Sequence, residues 1–189
     1  MALEENLTDG DAEVLIFAKA PDKGLRQLRV SNPTGVEIEL TTPNALGLRE
    51  FLFESAEPPD LDAVLAAYPQ GSYSFRGTTL SGGCVTGTAQ LSHVSAPPTT
   101  LLTPRAGEVV AGDQVDLSWM TVPEAASYVV ELTNGSSGAV YSLEVYPPQT
   151  SVHIPAELVS PSTEYTFAVA TKASTGNVSS VELTFSTEP

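Results

Sequence analysis

Apolar and polar residues alternate with a period of two along most of the chain. In Val36–Leu40 three aliphatic residues share one face of the segment and two glutamates share the other, and Val115–Trp119 alternates in the same way. The alternation recurs at residues 128–132, 152–154, 165–169 and 181–185. Glycine, proline and Asn-Gly separate these runs about every 10 residues, which predicts short antiparallel strands rather than a parallel α/β fold.

The strands predicted in the two halves of the chain follow from this alternation. In the first half they are Glu13–Ala20, Leu25–Val30, Val36–Leu40, Leu48–Glu54, Tyr73–Arg76 and Val85–Leu91. In the second half they are Leu101–Pro104, Val115–Trp119, Tyr128–Leu132, Val140–Tyr146, Ser151–Ile154, Thr163–Thr171 and Val181–Phe185. The seven strands of the second half, arranged as two sheets, would bury Trp119, Tyr128, Leu158, Tyr165 and Phe167 between them.

One short helix is predicted near residues 60–68. Apolar residues follow the i, i+3, i+4, i+7 spacing from Leu61 to Tyr68, Asp60 can cap the N-terminus after Pro58 and Pro59, and Pro69 ends the segment. A helix of about eight residues is not stable alone in water, so its apolar stripe should pack on a sheet.

The segment Ser95–Thr100 divides the chain into two predicted domains. Its paired prolines favour an extended, fairly stiff connector. Either side holds roughly 90 residues, which is enough for one sandwich core without disulfides. We therefore predict a domain at 10–95, with the helix near 60–68, and a second domain at 98–188.

The charge and composition exclude several classes of partner. With 8 basic and 23 acidic side chains the formal net charge is −15, which argues against nucleic acid or an anionic membrane. No apolar run approaches the roughly 18 residues of a membrane-spanning helix. The single cysteine excludes an intrachain disulfide, and two histidines do not favour a zinc cage.

The second half carries a set of motifs at fixed places. Leu117-Ser118-Trp119 lies on its second strand, and Ala126-Ser127-Tyr128 opens the third. Leu158-x-x-Pro161-x-Thr163-Glu164-Tyr165-x-Phe167 has the pattern of a tyrosine corner, and Gly176–Ser179 precedes the last strand. Together they resemble a fibronectin type III domain over residues 98–188. The resemblance implies that Trp119 and Tyr165 are core and corner residues without a part in chemistry. The family's Arg-Gly-Asp integrin tripeptide is absent.

The first half carries a second resemblance. Thr8–Asp11, Leu48–Pro58, Tyr68–Gly77 and Leu91–His93 are similar to an uncharacterised bacterial module found ahead of fibronectin type III domains in exported proteins. That resemblance implies an exported context and no known activity. The fold class predicted for the whole chain is all-β, with two tandem immunoglobulin-like or fibronectin type III-like β-sandwiches, the first with one short helix.

Histidine and cysteine are the candidates for catalysis. The alternation points His153 away from the core, while His93 closes the first domain, and no Gly-x-Ser-x-Gly elbow accompanies either residue. Cys84 follows Ser81-Gly82-Gly83 at a predicted hairpin turn, with Arg76 as the nearby cation. A nucleophilic cysteine needs a base and an electropositive setting, so we expect a small, semi-buried residue instead. No catalytic residue and no cofactor-binding residue is assigned.

Acidic residues alternate at the start of the first domain. Asp9, Asp11 and Glu13 could share a calcium ion if the chain bends there, because calcium prefers carboxylate oxygens. The rest of an EF-hand loop is absent, and a solvated acidic edge that blocks strand-to-strand aggregation is the alternative.

Two tyrosines are the candidates for a binding surface. Tyr141 and Tyr146 fall on opposite faces of one predicted strand, so one of them should face solvent. An exposed tyrosine can stack on a sugar ring or anchor a protein contact, and a partly covered tyrosine at a sheet edge is the structural alternative.

The function expected from the sequence is a non-catalytic, extracytoplasmic module for binding, adhesion or spacing. Its partner would be a protein or glycan surface, and the chain would be a monomer or a weak oligomer. The alternatives are an accessory segment of a secreted enzyme, a subunit that assembles through sheet edges, and a standalone enzyme with a deep pocket. The first ten residues lack a basic n-region and an apolar h-region. That leaves two locations: outside the cytoplasm for a mature form without its leader, or the cytoplasm.

Overall fold

The chain divides into two compact units. The computed structural model describes residues 1–20, 24–42, 46–56, 60–113 and 115–189, and of Val36 it describes the backbone alone. The first unit comprises Met1–Glu4 and Asp11–His93, and the second comprises Glu5–Gly10 and Val94–Pro189. That residues 10–95 and 98–188 are separately folding domains stays a prediction, and expressing each range alone tests it.

The first unit is built from two antiparallel sheets with a shared core. Its strands are β1 (Ala2–Asn6, of which Ala2–Glu4 belongs here), β2 (Asp11–Lys19), β3 (Leu25–Asn32), β4 (Gly35–Thr41), β5 (Glu50–Glu54), β6 (Gly71–Thr79) and β7 (Cys84–Leu91). One sheet has the order β4-β3-β6-β7, and in the other β2 pairs with β5. Val14, Ile16, Val30 and Tyr73 are fully buried where the sheets meet. Inward residues alternate with outward residues along these strands, and the inward residues form the core.

The helix of the first unit confirms the sequence prediction. Helix α1 spans Leu61–Ala67, and its N-cap Asp60 accepts hydrogen bonds from the backbone nitrogens of Asp62 and Ala63 at 3.1 and 3.4 Å. Val64 is buried against the sheets, whereas Leu61 is exposed at the first helical position. The apolar stripe of the helix therefore packs on the sheets at Val64, in its middle, and is exposed at Leu61, its N-terminal end. Pro58 and Pro59 lie outside the described residues.

The second unit is a sandwich of two sheets, which hold three and five of its strands. Its strands are β8 (Leu101–Thr103), β9 (Val109–Val110), β10 (Val115–Trp119), β11 (Ala125–Asn134), β12 (Val140–Val145), β13 (Ser151–Ile154), β14 (Glu164–Ala173) and β15 (Val178–Thr187). The order is β13-β10-β8 in one sheet and β12-β11-β14-β15 in the other, and β9 pairs in parallel with β15. The predicted all-β fold class with immunoglobulin-like sandwiches is confirmed.

The aromatic core of the second unit matches the sequence prediction except at Leu158. Trp119, Tyr128, Tyr165 and Phe167 are each at most 1% exposed, and the Trp119 and Tyr128 rings meet edge to face with centroids 5.6 Å apart. Leu158 was expected in this core and is 39% exposed. It ends a 3-10 helix at Ala156–Leu158, which lies in the connection between β13 and β14, where the inward alternation of a strand does not apply.

Candidate functional site

The two candidate tyrosines differ in their exposure to solvent. Tyr141 is paired with Leu132 of β11 and packs against the core of the second unit. Tyr146 follows directly after β12, and 63% of its surface is exposed. Tyr146 is therefore the tyrosine of this pair that a partner can reach.

Tyr146 lies beside a polar network, which we call the Tyr146 cluster and define as Ser127, Glu144, Tyr146 and Lys172. The Ser127 hydroxyl donates a hydrogen bond of 2.6 Å to Oε1 of Glu144, and Nζ of Lys172 lies 3.7 Å from the same oxygen. Strand pairing brings the cluster together, because Ser127 of β11 is the register partner of Lys172 of β14 and Glu144 lies on β12 beside β11.

The network lowers the pKa of the Glu144 carboxyl. The hydrogen bond from Ser127 is the largest cause, followed by the positive charge of Lys172, and a hydrogen bond from Tyr146 acts in the same direction. Glu144 is therefore ionised at neutral pH and accepts hydrogen bonds there. With the aromatic ring and the ammonium of Lys172, the cluster presents a stacking face, an acceptor and a donor.

Both histidines make contacts of a structural kind. Nδ1 of His153 lies 2.9 Å from Oδ1 of Asp116, its register partner on β10, and both side chains are more than half exposed. The ring of His153 points away from the core, as predicted. Nε2 of His93 donates to the carbonyl oxygen of Tyr68 at 2.8 Å, which ties the chain after β7 to the end of α1. Neither of these two contacts involves a serine, threonine or cysteine side chain.

Cys84 corrects one expectation. The sequence predicted a semi-buried residue, and the thiol is exposed. Cys84 begins β7 on the outward side, because the inward position next to it is taken by Val85. Cys84 and Leu91 are the ends of this strand and lie roughly 23 Å apart at the usual rise per residue. Cys84 is therefore too far from His93, two residues beyond Leu91, to be activated by it.

Among the described residues, Asp9, Asp11 and Glu13 do not come together as a set of metal ligands. Oδ2 of Asp9 accepts a hydrogen bond of 3.0 Å from Asn6, and Asp11 and Glu13 lie on β2. Across the described ranges, no three His, Cys, Asp or Glu residues are close enough to hold a metal ion. The calcium hypothesis stays a prediction that a binding measurement can decide.

A further feature was not anticipated from the sequence. An apolar cleft of about 400 Å³ opens between the two sheets of the first unit and is lined by residues of β2, β3, β5, β6 and β7. The available signal was the run of small residues Gly87-Thr88-Ala89, which places little side-chain volume on the inner face of β7.

Comparisons with known proteins give no family assignment. No family model matches the chain, and no curated protein is significantly similar to it. Among solved structures, fibronectin(III)-like modules of Clostridium thermocellum CbhA align over 98% of this chain and 91% of theirs, with 10% identity and a TM-score of 0.38.

Two further solved structures are longer than this chain. The chicken CNTN1 FN1-FN3 domains align over 98% of this chain and 62% of theirs, with 11% identity and a TM-score of 0.42. A tetra-tandem repeat from the extending region of a large adhesion protein aligns over 92% and 49%, with 16% identity and a TM-score of 0.35. This chain therefore spans less than two thirds of either structure.

The expected resemblance of residues 98–188 to a fibronectin type III domain is confirmed as a resemblance of fold. The resemblance of the first half to a bacterial exported module stays a prediction. In the part of the chain that the structure describes, no helix combines the length and the apolar character that crossing a bilayer requires.

Proposed function

We propose that the protein is a non-catalytic, extracytoplasmic binding module that contacts a glycan surface through the Tyr146 cluster. The observation that carries the proposal is the largely exposed ring of Tyr146 beside an ionised, hydrogen-bonded Glu144. A tyrosine ring offers a flat apolar face with a polar tip, and it loses little conformational entropy when it binds. Pyranose sugars present a matching combination of C–H faces and hydroxyl groups.

The groups that could carry chemistry support a non-catalytic role. Catalysis by His or Cys needs a nucleophile and a base within hydrogen-bonding reach. His93 is engaged by a backbone carbonyl and His153 by an exposed aspartate, while Cys84 lies at the far end of β7 from His93. An exposed module of this kind acts through its surface rather than through converging groups in an active site.

A glycan array probed with the full chain tests the proposal. We expect binding to at least one class of neutral oligosaccharide. Tyr146→Ala should weaken it by about 30-fold or more, the size of an aromatic hot spot, whereas Tyr146→Phe should keep most of it. Met120→Ala is the matched control, because Met120 is also more than half exposed and lies beyond β10 in the other sheet of the unit.

Each outcome of the array decides something. Binding that Tyr146→Ala leaves intact overturns the role of the cluster. If the chain binds no glycan on the array, the glycan proposal is wrong. The chain would then be a spacer that holds two other segments apart, or an accessory segment of a secreted enzyme.

A further inference from the structure

The inner face of β7 leaves space between the two sheets of the first unit. Gly87 is the register partner of Phe75 on β6, and a Cβ placed at Gly87 would have the Cβ of Phe75, 3.9 Å away, as its nearest described neighbour. Gly77, which points inward from the adjacent strand β6, has much less space around it than Gly87. A Cβ at Gly77 would lie 2.8 Å from Cδ1 of Leu25 and 2.9 Å from Cγ2 of Val85. The space at Gly77 is therefore filled, and the space at Gly87 is open.

The open space continues into a cleft with an apolar lining. The cleft has a volume of about 400 Å³, and its apolar walls include Ala18, Leu28, Phe51, Phe75, Val85 and Ala89. Phe51, Phe75 and Val85 are only partly buried, although they point into the sandwich. Protein interiors are normally packed without voids of this size, and ligand pockets typically measure about 300–1,000 Å³. The cleft therefore has the size and lining of a small-molecule site.

Among the described residues that line the cleft, the charged side chains are cationic. Lys19, at the end of β2, and Arg49, directly before β5, both line it. Nζ of Lys19 lies 3.3 Å from Oε1 of Glu50, and both of these side chains are more than half exposed. An exposed ion pair contributes little to stability, so a second carboxylate can compete for the lysine. In a chain with a net charge of −15, two cations beside an apolar cleft favour one anionic head group.

We propose that this cleft binds a small amphipathic anion, an unbranched alkyl carboxylate whose chain lies between the sheets and whose head group contacts Lys19 and Arg49. The site lies wholly within the first unit, so this inference is independent of the Tyr146 cluster in the second. Charge complementarity selects the head group, and the open space beside Gly87, with its apolar lining, accommodates the alkyl chain.

Calorimetric titration of the full chain with hexanoate, octanoate and decanoate, each below its micelle concentration, tests the proposal. Affinity should rise about fourfold per methylene, because each buried methylene contributes about 0.8 kcal/mol and tenfold in affinity corresponds to about 1.4 kcal/mol. Decanol and decyltrimethylammonium should bind more weakly than decanoate. Absence of binding, equal affinity across the series, or a preference for the cation would overturn the proposal.

Variants that fill the cleft locate the site. Gly87→Val and Ala89→Leu should each weaken decanoate binding more than tenfold and leave the melting temperature equal or higher, because they occupy empty space. Gln90→Val, on the outward side of the same strand, is the matched control and should bind like the wild type. Two filling variants keep the test decisive if one of them does not fold. Unchanged binding in a folded filling variant would contradict the assignment.

The head-group contacts have their own test. The double variant Lys19→Gln/Arg49→Gln should bind decanoate several-fold more weakly and bind decanol as the wild type does. An equal loss for both ligands would show general damage to the cleft and would contradict the assigned contacts. Tyr146→Ala should leave decanoate binding unchanged, so failure of this inference and failure of the glycan proposal can be told apart.

Discussion

The hydroxyl of Tyr165 accepts a hydrogen bond from the backbone N–H of Ser160 at 2.7 Å, so a strand residue fixes the connection that leads into its own strand. The amide of Asn134 donates to the same oxygen at 3.2 Å from β11. One fully buried hydroxyl therefore links the loop before β14 to the neighbouring strand of the sheet. This is the corner that the sequence motif predicted.

Removing that hydroxyl should destabilise the second unit. In Tyr165→Phe the buried amide of Asn134 and the backbone N–H of Ser160 lose their acceptor, and we expect a loss of about 1–3 kcal/mol in the free energy of unfolding. Urea denaturation followed by tryptophan fluorescence measures it, since Trp119 lies in the same core. Tyr141→Phe, at a partly exposed tyrosine, should change little. Equal effects of the two variants would contradict this account of the corner.

Two glycines on adjacent strands should respond differently to alanine. Gly77→Ala places a methyl group against Leu25 and Val85, and we expect a loss of about 1 kcal/mol or more from overpacking. Gly87→Ala meets open space, so the reduced entropy of the unfolded chain should make it neutral or stabilising by up to about 1 kcal/mol. Thermal unfolding of both variants decides the matter. The opposite order would mean that the sheets are closed at Gly87.

The lowered pKa of Glu144 predicts a pH effect with a defined sign. Because its pKa is below the usual 4.5 in the folded protein, the ionised carboxylate contributes stability that is complete above about pH 4.5. That contribution is lost as the pH falls through the folded-state pKa. Ser127→Ala removes the main cause, so the pKa of Glu144 should rise in an NMR titration of its carboxyl carbon. Lys172→Gln should raise it less, and a larger effect of Lys172→Gln would reverse the assigned order of causes.

The melting temperature with and without calcium distinguishes a calcium site at Asp9, Asp11 and Glu13 from a solvated acidic edge. Ligand at about 100 times its dissociation constant stabilises a protein by about 2.7 kcal/mol, so a bound ion should raise the melting temperature visibly. A solvated acidic edge predicts the same melting temperature in millimolar calcium as in chelator, which is the result we expect because Asp9 is already bonded to Asn6. A rise that Asp11→Asn abolishes would establish the metal site instead.

Particular residues explain what the sequence could predict and what it could not. Val115–Trp119 and Ser151–Ile154 alternate without interruption, and both strands have the predicted ends. β1 was missed because Leu3 is its one buried residue, which leaves no repeat to detect. The exposure of Leu158 depends on a turn of 3-10 helix, and the cleft depends on Gly87 and Ala89 facing Phe75 and Tyr73 across paired strands. Such cross-strand relationships require the register, which a single sequence does not contain.

The accessible Cys84 affects how the molecule must be handled. Air oxidation would couple two chains through this sole thiol and give a covalent pair that light scattering cannot distinguish from genuine self-assembly, so sizing should be repeated with reductant. The same sulfur is a natural attachment point for a maleimide dye. A dye there would stand at one end of β7, the strand that borders the cleft, and could report ligand entry without an engineered label.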